Sequence, residues 1–441
     1  MGWVKMKLGD VLKNREGRFK PNDPTIANLK RIDKINFSGQ IFLSDKNSNT
    51  DMIIIKKGDL VISGINVEKG ALTVYEGEED ILATIHYSSY IFDTSKIDID
   101  FLKVFLRSPD FVQLLKEQVP GGIKTEIKPK HILPLEVYFP ETTKEQKVIA
   151  EHFFEKEAKF NQLDEHISYQ HSQLENLNQA ILQEAVQGKL VSQDSNDEPA
   201  SVLLKRIKAE KAKSGKKEKP LPPIKPEEIP FEIPENWVWC RLGEISDNIT
   251  KGSSPNWQGV QYVSEKDGIL FITSKNVDSF KLDLTKATYV EEKFNEIEPR
   301  SILKKGDILT NIVGASIGRT ALFDLDVVAN INQAVCIIRI EHSLINKDYM
   351  LNLMNSNLAL KLMTDSSFAP GRANLSMGNI ANFPIPLPPL SEQKRIVAEI
   401  EKQFAKTKQL KEHIIANQQA TEQLLKALLH QAFEVKEMET A

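Results

Sequence analysis

The chain has 441 residues, of which 41% are hydrophobic and 27% are charged, so its length suits about three soluble domains. Its formal net charge of −4 does not indicate a nucleic-acid binder, although net charge says nothing of local patches. No run of about 18 apolar residues is present to span a membrane, and the N-terminal residues lack the apolar stretch of a signal peptide. We therefore expect a cytoplasmic protein without membrane association.

An internal duplication is the most informative feature of the sequence. The distance between matching residues grows from 234 to 248 along the chain, which indicates an insertion in the second copy. The order of the matches is the same in both halves: residues 3–10 recur at 237–244, residues 56–59 (Lys-Lys-Gly-Asp) at 304–307, and residues 145–147 (Glu-Gln-Lys) at 392–394.

Each copy is predicted to begin with a mixed α and β domain, over residues 1–140 and 234–388. Short apolar runs broken by Gly and Asp are typical of strands in a compact sheet. One helix per domain is predicted from apolar residues at helical spacing, over residues 101–115 and 350–362. The predicted strands are 52–55, 60–62, 71–75, 269–273, 308–313, 320–323 and 334–340.

Each domain is followed by a predicted long helix, over residues 141–190 and 389–436, and a short tail covers 437–441. A capping box, Thr142-x-x-Glu145, marks the first start. Apolar residues recur at spacings of three and four, which is the period of a coiled-coil seam. Polar residues interrupt the seam at Lys156 and Gln170, and at Gln403, Thr407, Asn417 and Thr421. The seam residues are Ile149, Phe153, Phe160, Leu163, Ile167, Leu174, Leu177, Ile181, Ile396, Ile400, Leu410, Ile414, Leu424 and Leu428.

The predicted fold class is therefore α+β: two pseudo-repeated α/β domains separated by two long helices that pair as an antiparallel coiled coil. A rod of 43 residues is about 64 Å long, and an amphipathic rod of that length needs a partner. Residues 191–233 form the linker between the copies, with a short helix, a lysine-rich stretch and a proline-rich stretch expected to be extended.

A search for catalytic motifs finds no P-loop, Gly-x-Gly-x-x-Gly or His-Glu-x-x-His sequence, and no methyltransferase Asn/Asp-Pro-Pro-Tyr. Pro109-Asp110 followed by Glu145-x-Lys147 loosely matches a nuclease, but we reject it because Glu145 opens a long helix. The equivalent His166 and His413 suit solvated imidazoles better than a shared metal or pH switch. Cys240 and Cys336 form neither a disulfide framework nor a zinc site. We predict no metal and no catalytic residue.

Several short motifs, taken in their order, give the whole chain a resemblance to the specificity subunits of type I restriction–modification enzymes. One departure is Pro140-Glu141-Thr142-Thr143, which stands where the family pattern reads Pro-Pro-Leu-Ser but keeps the helix cap. The motifs are Gly188-Lys189-Leu190-Val191, Asp197-Glu198-Pro199-Ala200, Leu203-Leu204, Glu210-Lys211, Ile233-Pro234-Glu235-Asn236-Trp237, Lys251-Gly252-Ser253-Ser254-Pro255 and Pro389-Leu390-Ser391-Glu392-Gln393-Lys394-Arg395-Ile396.

The resemblance implies a non-catalytic subunit of a phage-defence complex. Each α/β domain would be a target-recognition domain that reads one half of an asymmetric, bipartite site on double-stranded DNA, and the helices would set the distance between the halves. Two methyltransferase subunits and two restriction and translocation subunits would dock on the chain. S-adenosylmethionine, ATP and magnesium would belong to those partners, and this chain would hold no cofactor.

Candidate DNA contacts are polar residues in turn-rich segments, because Lys and Arg bind phosphates and guanine, and Asn and Gln pair with adenine. In the first copy they are Arg15, Arg18, Lys20, Lys30, Arg31, Ser63, Asn66, Lys69, Thr84, His86, Tyr87, Lys124 and Thr125. In the second copy they are Lys251, Ser253, Ser254, Asn256, Trp257, Ser274, Lys275, Asn276, Asn311, Ser316, Arg319, Asn330, Asn332, Gln333, Arg372 and Asn374.

Three other interpretations stay open from the sequence. The complex could methylate DNA or serve phage defence without active restriction. The chain could act without a methyltransferase as a structural or regulatory DNA-binding protein, or be the detached recognition half of a fused restriction enzyme.

Overall fold

The computed structural model describes residues 2–36, 39–44, 48–65, 71–118, 127–213, 220–364 and 375–433. The chain forms two compact units, which we call the first unit (residues 1–169 and 414–441) and the second unit (residues 170–413). Each unit combines sheets with helices, which confirms the α+β class. The boundary between the units falls within the two long helices, so each long helix contributes to both units.

The first unit contains two four-stranded sheets and a two-stranded ladder. In chain order its elements are β1 (Trp3–Lys7), β2 (Leu12–Asn14), β3 (Arg31–Ile35), β4 (Ile41–Ser44), β5 (Met52–Ile55), β6 (Leu60–Ser63), β7 (Leu72–Val74), β8 (Ile81–Thr84), β9 (Tyr87–Phe92), α1 (Ile99–Leu106), α2 (Pro109–Gln118), α3 (Pro129–Ile132), β10 (Glu136–Pro140) and α4 (Thr143–Val186). One sheet has the antiparallel order β2-β9-β6-β7, and the other has the order β4-β3-β8-β5 with β3 parallel to β8. The ladder joins β1 to β10.

Strand β6 lies between two hydrophobic cores of the first unit. Leu60 and Ile62 pack in a core with Phe101, whereas Val61 packs in a smaller core with Ile32. Successive residues of a strand point to opposite faces, so the apolar run from Leu60 to Ile62 is buried on both sides of the sheet. Each fully buried aliphatic side chain stabilises the fold by about 1.5–3 kcal/mol relative to exposure.

The second unit repeats this architecture and adds elements to it. Its elements follow one another in chain order. They are α5 (Ala200–Lys213), β11 (Val238–Arg241), α6 (Leu242–Ile245), β12 (Asn248–Lys251), β13 (Tyr262–Val263), β14 (Ile269–Ile272), β15 (Val277–Asp278), β16 (Lys281–Leu282), β17 (Thr288–Val290), α7 (Lys293–Ile297), β18 (Asp307–Asn311), β19 (Thr320–Phe323), β20 (Ala329–Ile331), β21 (Val335–Arg339), α8 (Lys347–Met354), α9 (Asn357–Thr364), α10 (Met377–Ala381), β22 (Pro384–Leu387) and α11 (Leu390–Phe433). Strand β18 again lies between two cores, with Ile308 in one and Leu309 in the other.

The sheets of the two units correspond, and they differ at one edge. The order β12-β21-β18-β19 matches β2-β9-β6-β7, and β17-β14-β20 matches β4-β3-β8, including the parallel pair. The fourth strand is β5 beside β8 in the first unit, but β13 beside β17 in the second. The duplicated sequence therefore corresponds to a duplicated fold.

The repeated Lys-Lys-Gly-Asp sequence forms the same turn in both units. Its glycine, Gly58 or Gly306, has a φ of 85° or 90°, a left-handed conformation that favours glycine. The aspartate accepts a hydrogen bond from the first lysine's backbone N–H, at 3.0 Å for Asp59 and 2.8 Å for Asp307. The aspartate also accepts hydrogen bonds from an arginine side chain. This arginine is Arg15, directly after β2, in the first unit and Arg339, at the end of β21, in the second.

The repeated glutamine of the Glu-Gln-Lys sequence connects each long helix to a shorter one. Gln146 Oε1 accepts a hydrogen bond at 2.7 Å from the backbone N–H of Asp98, the N-cap of α1. Gln393 Oε1 accepts one at 2.8 Å from the N–H of Asn346, the N-cap of α8. Both glutamines are fully buried, so the sequence motif is a structural clamp.

The single helix predicted in each α/β domain is wrong, because each region forms two helices. Helix α1 ends before Ser108, whose hydroxyl accepts a hydrogen bond from the Phe111 N–H at the start of α2. Helix α8 likewise ends before Asn355, and Ser356 accepts from the Ala359 N–H in α9. Ser and Asn compete for backbone hydrogen bonds in this way and favour helix ends over interiors.

The two long helices form, but four of the predicted seam residues are exposed. Ile149, Phe153, Phe160, Ile167, Leu174, Ile181, Ile396, Ile400, Ile414 and Leu428 are buried or half-buried. The exposed leucines are Leu163 (45%), Leu177 (45%), Leu410 (51%) and Leu424 (55%), so their placement in a buried seam is wrong. Pairing as an antiparallel coiled coil stays a prediction.

The residue that follows each exposed leucine of α4 makes a polar contact with α11. In the second unit, Thr407 donates to Asn178 Oδ1 at 2.8 Å. In the first unit, Gln418 donates to Asp164 Oδ1 at 3.5 Å. On α4, the residue that contacts α11 at these points is therefore one position after the leucine of the apolar pattern.

The proline-rich part of the linker packs on the second unit. The buried Arg241 guanidinium donates to the backbone carbonyls of Pro222 and Pro223, and it forms an ion pair with Glu228 at 2.8 Å. Lys211 at the end of α5 donates to two further carbonyls of the unit. The lysine-rich residues 214–219 lie outside the described residues.

Candidate nucleic-acid interface

Four segments of the second unit meet at one end of its sheets, and we call residues 251–257, 273–276, 312–319 and 332–334 the second loop cluster. The Asn332 N–H donates to Ile272 O at 3.0 Å, and the Ile312 N–H donates to Ala334 O at 2.9 Å. A Cβ on Gly252 would lie 1.8 Å from Ile331 O, so only glycine fits there. The cluster follows the ends of β12, β14, β18 and β20.

Exposed candidate residues are concentrated in this cluster. The cations Lys251, Lys275 and Arg319 are exposed, and the Trp257 side chain is 79% exposed. Asn256 is exposed, and Ser253, Ser254, Ser274, Ser316, Asn332 and Gln333 are half-buried. Arg319 lies 3.6 Å from Asp278. Such a set contains the cations that phosphate contacts need, the hydroxyl and amide groups that base edges pair with, and an aromatic surface.

Three asparagines that the sequence places among the DNA contacts are fully buried instead: Asn276, Asn311 and Asn330. Asn276 accepts from the Thr273 N–H at 2.9 Å and donates to Asp283 O. Asn311 donates at 3.0 Å to two carbonyls, Ser274 O and Val277 O. Asn330 binds its neighbour's backbone and Asn295. The prediction is wrong for these residues, because their side chains are buried and bind groups within the loops.

The corresponding end of the first unit forms the first loop cluster, which we define as residues 18–20, 51, 63–65 and 84–87. The Gly64 N–H donates to His86 O at 2.8 Å, and the Ile85 N–H donates to Asp51 O at 3.1 Å. Arg18 and Lys20 are exposed and lie 3.9 Å and 3.2 Å from Asp51. His86 is exposed, whereas Thr84 and Tyr87 are half-buried, and burial raises the pKa of the Tyr87 hydroxyl.

Two other described candidates of the first copy are held within the fold and are not exposed contacts. Arg15 binds the buried Asp59 with two hydrogen bonds and Ser63 is buried, so both predictions are wrong. Arg31 begins β3 opposite Leu82, two residues before the end of the parallel strand β8, and Lys30 precedes β3. Asn66, Lys69, Lys124, Thr125, Arg372 and Asn374 lie outside the described residues.

Sequence reasoning missed one exposed apolar residue in the first loop cluster. Ile65 is 60% exposed directly after the turn at Gly64. An apolar side chain in such a position suits the methyl group of thymine. The sequence signal that could have identified Ile65 is its position directly after a glycine that follows an apolar strand.

The described residues contain no cluster of three metal-ligating side chains, and none of their helices is long and apolar enough to cross a membrane. Cys240 and Cys336 are buried free thiols, and burial raises the pKa of both.

Residues 234–418 match the sequence profile of a family described as the type I restriction modification DNA specificity domain. In this region the chain is similar to that family's domain. The match begins at the second α/β domain and continues into α11. It confirms the resemblance inferred from the motifs.

Curated relatives carry the same description. The chain is 33% identical over 297 residues to the specificity subunit of the type I restriction enzyme EcoEI of Escherichia coli, covering 63% of this chain and 48% of the relative. It is 34% identical over 254 residues to the EcoAI specificity subunit of Escherichia coli, covering 53% and 40%. The chain thus spans about half the length of these relatives or less.

Two solved structures share the fold. One chain, from a study of complex assembly and conformational transition of the type I restriction–modification system, has a TM-score of 0.60 at 17% identity, with 98% of each chain covered. The HsdS subunit from Thermoanaerobacter tengcongensis has a TM-score of 0.50 at 17% identity, covering 98% of this chain and 97% of that one.

Proposed function

We propose that the chain is the DNA-specificity subunit of a type I restriction–modification complex and reads an asymmetric, bipartite DNA target. The observation that carries the proposal is the match to a type I specificity domain within a duplicated fold in which the sheets of each copy have an exposed loop cluster at one end. One loop cluster would read each half of the target. The chain itself would be non-catalytic.

The asymmetry of the target rests on differences between the two loop clusters. The second has Trp257 and three exposed cations, whereas the first has Arg18, Lys20 and the apolar Ile65. Base-edge patterns are read by residue type and position, so unlike clusters on a shared framework favour unlike half-sites.

We expect the partners to be two methyltransferase subunits and two restriction subunits. The exposed leucines of the long helices support two equivalent docking surfaces. The first unit exposes Leu163 and Leu424, and the second exposes their duplicates Leu410 and Leu177. S-adenosylmethionine, ATP and magnesium would be bound by the partners. A complex that methylates, or serves phage defence, without active restriction is the alternative.

Domain exchange tests the reading of the target. Residues 1–140 are replaced with the first domain of another type I specificity subunit, and the hybrid is expressed with its methyltransferase subunits. Because each loop cluster would read its own half-site, sequencing of methylated adenines should show one half changed and the other kept. Exchange of residues 234–388 is the reciprocal control. A continuous or palindromic target, or a change in both halves, would contradict the proposal.

Leucine substitution tests the docking surfaces. In the first unit the variant is Leu163→Gln with Leu424→Gln, and in the second it is Leu177→Gln with Leu410→Gln. Each should remove one of two methyltransferase subunits in native mass spectrometry, because truncated apolar anchors cost about 2 kcal/mol or more each. The control pair is Val327→Gln with Val328→Gln, which are 52% and 60% exposed away from the long helices. Full assembly of all variants would refute these surfaces.

A further inference from the structure

A small hairpin of the second unit carries an unusual residue at its tip. Strands β15 and β16 are joined by Ser279 and Phe280, and the φ of Phe280 is 65°. Among the described residues, Phe280 is the one non-glycine residue with a positive φ. A bulky side chain is unfavourable in the left-handed region, so interactions of the ring or its backbone must hold it there.

The Phe280 ring reaches the long helix α11. Its centroid lies 5.7 Å from that of Phe404, and the two ring planes are at 86°, an edge-to-face geometry that aromatic pairs favour. The Phe280 N–H donates to Thr320 O at 2.8 Å. The tip is therefore fixed to its own domain by the backbone and to α11 by the ring.

Open space lies beside this ring pair. A half-open cavity of about 230 Å³ is lined by Phe280 and Phe404 together with Leu174, Asn178 and Thr407. Loss of one ring would enlarge this cavity. The contact between Phe280 and Phe404 would then not be replaced by packing against other side chains on the side of the cavity. The hairpin would then be free to move relative to α11.

The same hairpin is connected to the second loop cluster. Asn311 donates to Val277 O at the start of the hairpin and to Ser274 O within the cluster. Arg319 of the cluster lies 3.6 Å from Asp278 of the hairpin. A displacement of the Phe280 tip would therefore be transmitted to residues that we propose contact DNA.

The hairpin of β15 and β16 lies in the segment where the second copy has its insertion relative to the first copy. The distance between matching residues grows between Gly243 and Gly306, and the hairpin lies in that interval. No hairpin equivalent to β15 and β16 is present in the described part of the first unit. The contact with the long helix is thus an addition to the second copy.

We propose that Phe280 is a positioning residue that holds the second loop cluster at one angle on α11, and so narrows the range of spacer lengths that the complex accepts. This inference rests on the proposed function. It assigns Phe280 no contact with DNA: the residue acts through Phe404. Its loss would change the tolerance for spacing and leave both half-site sequences unchanged.

Phe280→Gly is the test variant, because glycine adopts the left-handed conformation readily and the hairpin should still fold. The full chain, in complex with methyltransferase subunits, is offered DNAs that share both half-sites and differ only in spacer length. The preference for the best spacer over its neighbours should fall by about two- to tenfold, the range expected for one aromatic pair. Phe404→Ala should give the same loss, and the double variant should lose no more.

Two controls separate positioning from general damage. Phe231→Ala removes a different aromatic contact of the second unit, with Trp239 at 5.2 Å, and should leave the spacer preference unchanged. Trp257→Ala should weaken binding equally at every spacer length. Phe404→Leu keeps an apolar contact and should restore part of the preference.

An unchanged spacer preference in Phe280→Gly would overturn the inference. Hydrogen exchange of residues 277–282 and 400–408 without DNA provides a second readout, in which the variant should exchange faster. If the unaltered complex bound none of the DNAs, the proposed function would fail. The positioning role would then be decided by the hydrogen-exchange rates of Phe280→Gly and the unaltered protein. Equal rates would refute the role, and faster exchange in the variant would support it.

Discussion

Replacing Asp307 with alanine is expected to destabilise the second unit by about 3–5 kcal/mol, the cost of leaving a buried charge without its partner. The Asp307 and Arg339 side chains are 2% and 11% exposed and approach to 2.5 Å. The Arg339 guanidinium would stay charged without this partner, because arginine is not deprotonated in proteins. The turn before β18 would also lose its hydrogen bond from the Lys304 N–H.

The destabilisation should be local to the second unit, so it is measured by pulsed hydrogen exchange of the full chain along a urea series. A single overall midpoint does not describe a chain of two units. Asp326→Ala is the matched control, because Asp326 pairs with Lys305 on the surface, at 2.8 Å with side chains 81% and 53% exposed. Exposed pairs contribute little. Equal midpoints for Asp307→Ala and the control would show that the buried pair does not stabilise the unit.

A double replacement separates the two causes of this effect. Asp307→Leu combined with Arg339→Met removes both charges and fills similar volume. Buried ion pairs replaced in this way often cost little, so most of the stability should return. The stability that does not return would measure the hydrogen bonds that are lost. These are the bond of the turn and the bond that Arg339 donates to Ile302 O at 2.8 Å.

Features that depend on neighbouring residues could be predicted from the sequence. Thr142 caps the first long helix as predicted, with the Glu145 N–H donating to Thr142 Oγ1 at 3.3 Å, but the Glu145 side chain binds the Thr142 hydroxyl at 3.0 Å. Strand β5 has the bounds that its apolar run predicts, Met52–Ile55. The duplication was visible because the turn at Gly58 and the clamp at Gln146 each need particular residue types.

Features that depend on distant partners could not be predicted. An asparagine on the surface and one that binds loop backbone have the same sequence signature, so Asn276, Asn311 and Asn330 were misplaced. Arg15 has the composition of a phosphate contact, but the buried Asp59 determines its position. The sequence contains no signal that pairs residues 44 positions apart within a domain.

The seam of the long helices shows how a pattern can be right in period and wrong in register. Leucines at 163, 177, 410 and 424 continue the spacing of three and four, so the apolar pattern includes them. At these points polar side chains make the contact between the helices, as between Asn178 and Thr407. Polar groups at such positions fix register and partner choice at some cost in stability, and they leave the leucines free for a partner.

The heptad period itself provides the second large expected effect. Inserting seven residues after His166 and another seven after His413 adds two turns to each long helix at equivalent positions. Seven residues keep the spacing of three and four on both sides of each insertion, so the contacts within each unit should survive. Each helix lengthens by about 10.5 Å.

On DNA, this change in length corresponds to a longer preferred spacer. At about 3.4 Å per base pair, the two recognition domains would suit half-sites about three base pairs further apart. Three base pairs also rotate the DNA by about 100°, whereas seven helical residues turn by only about 20° from an exact repeat. The second loop cluster would therefore face the groove at a different angle, and binding should weaken even at the new optimum.

Selection from a DNA library that varies only in spacer length measures this prediction, with a four-residue insertion at the same sites as the control. Four residues break the heptad and should disturb the helices themselves, which circular dichroism and hydrogen exchange would detect. The heptad variant should keep its helix content and both half-site sequences while its spacer optimum moves. An optimum that stays in place at full affinity would mean that contacts other than these two helices determine the separation of the half-sites.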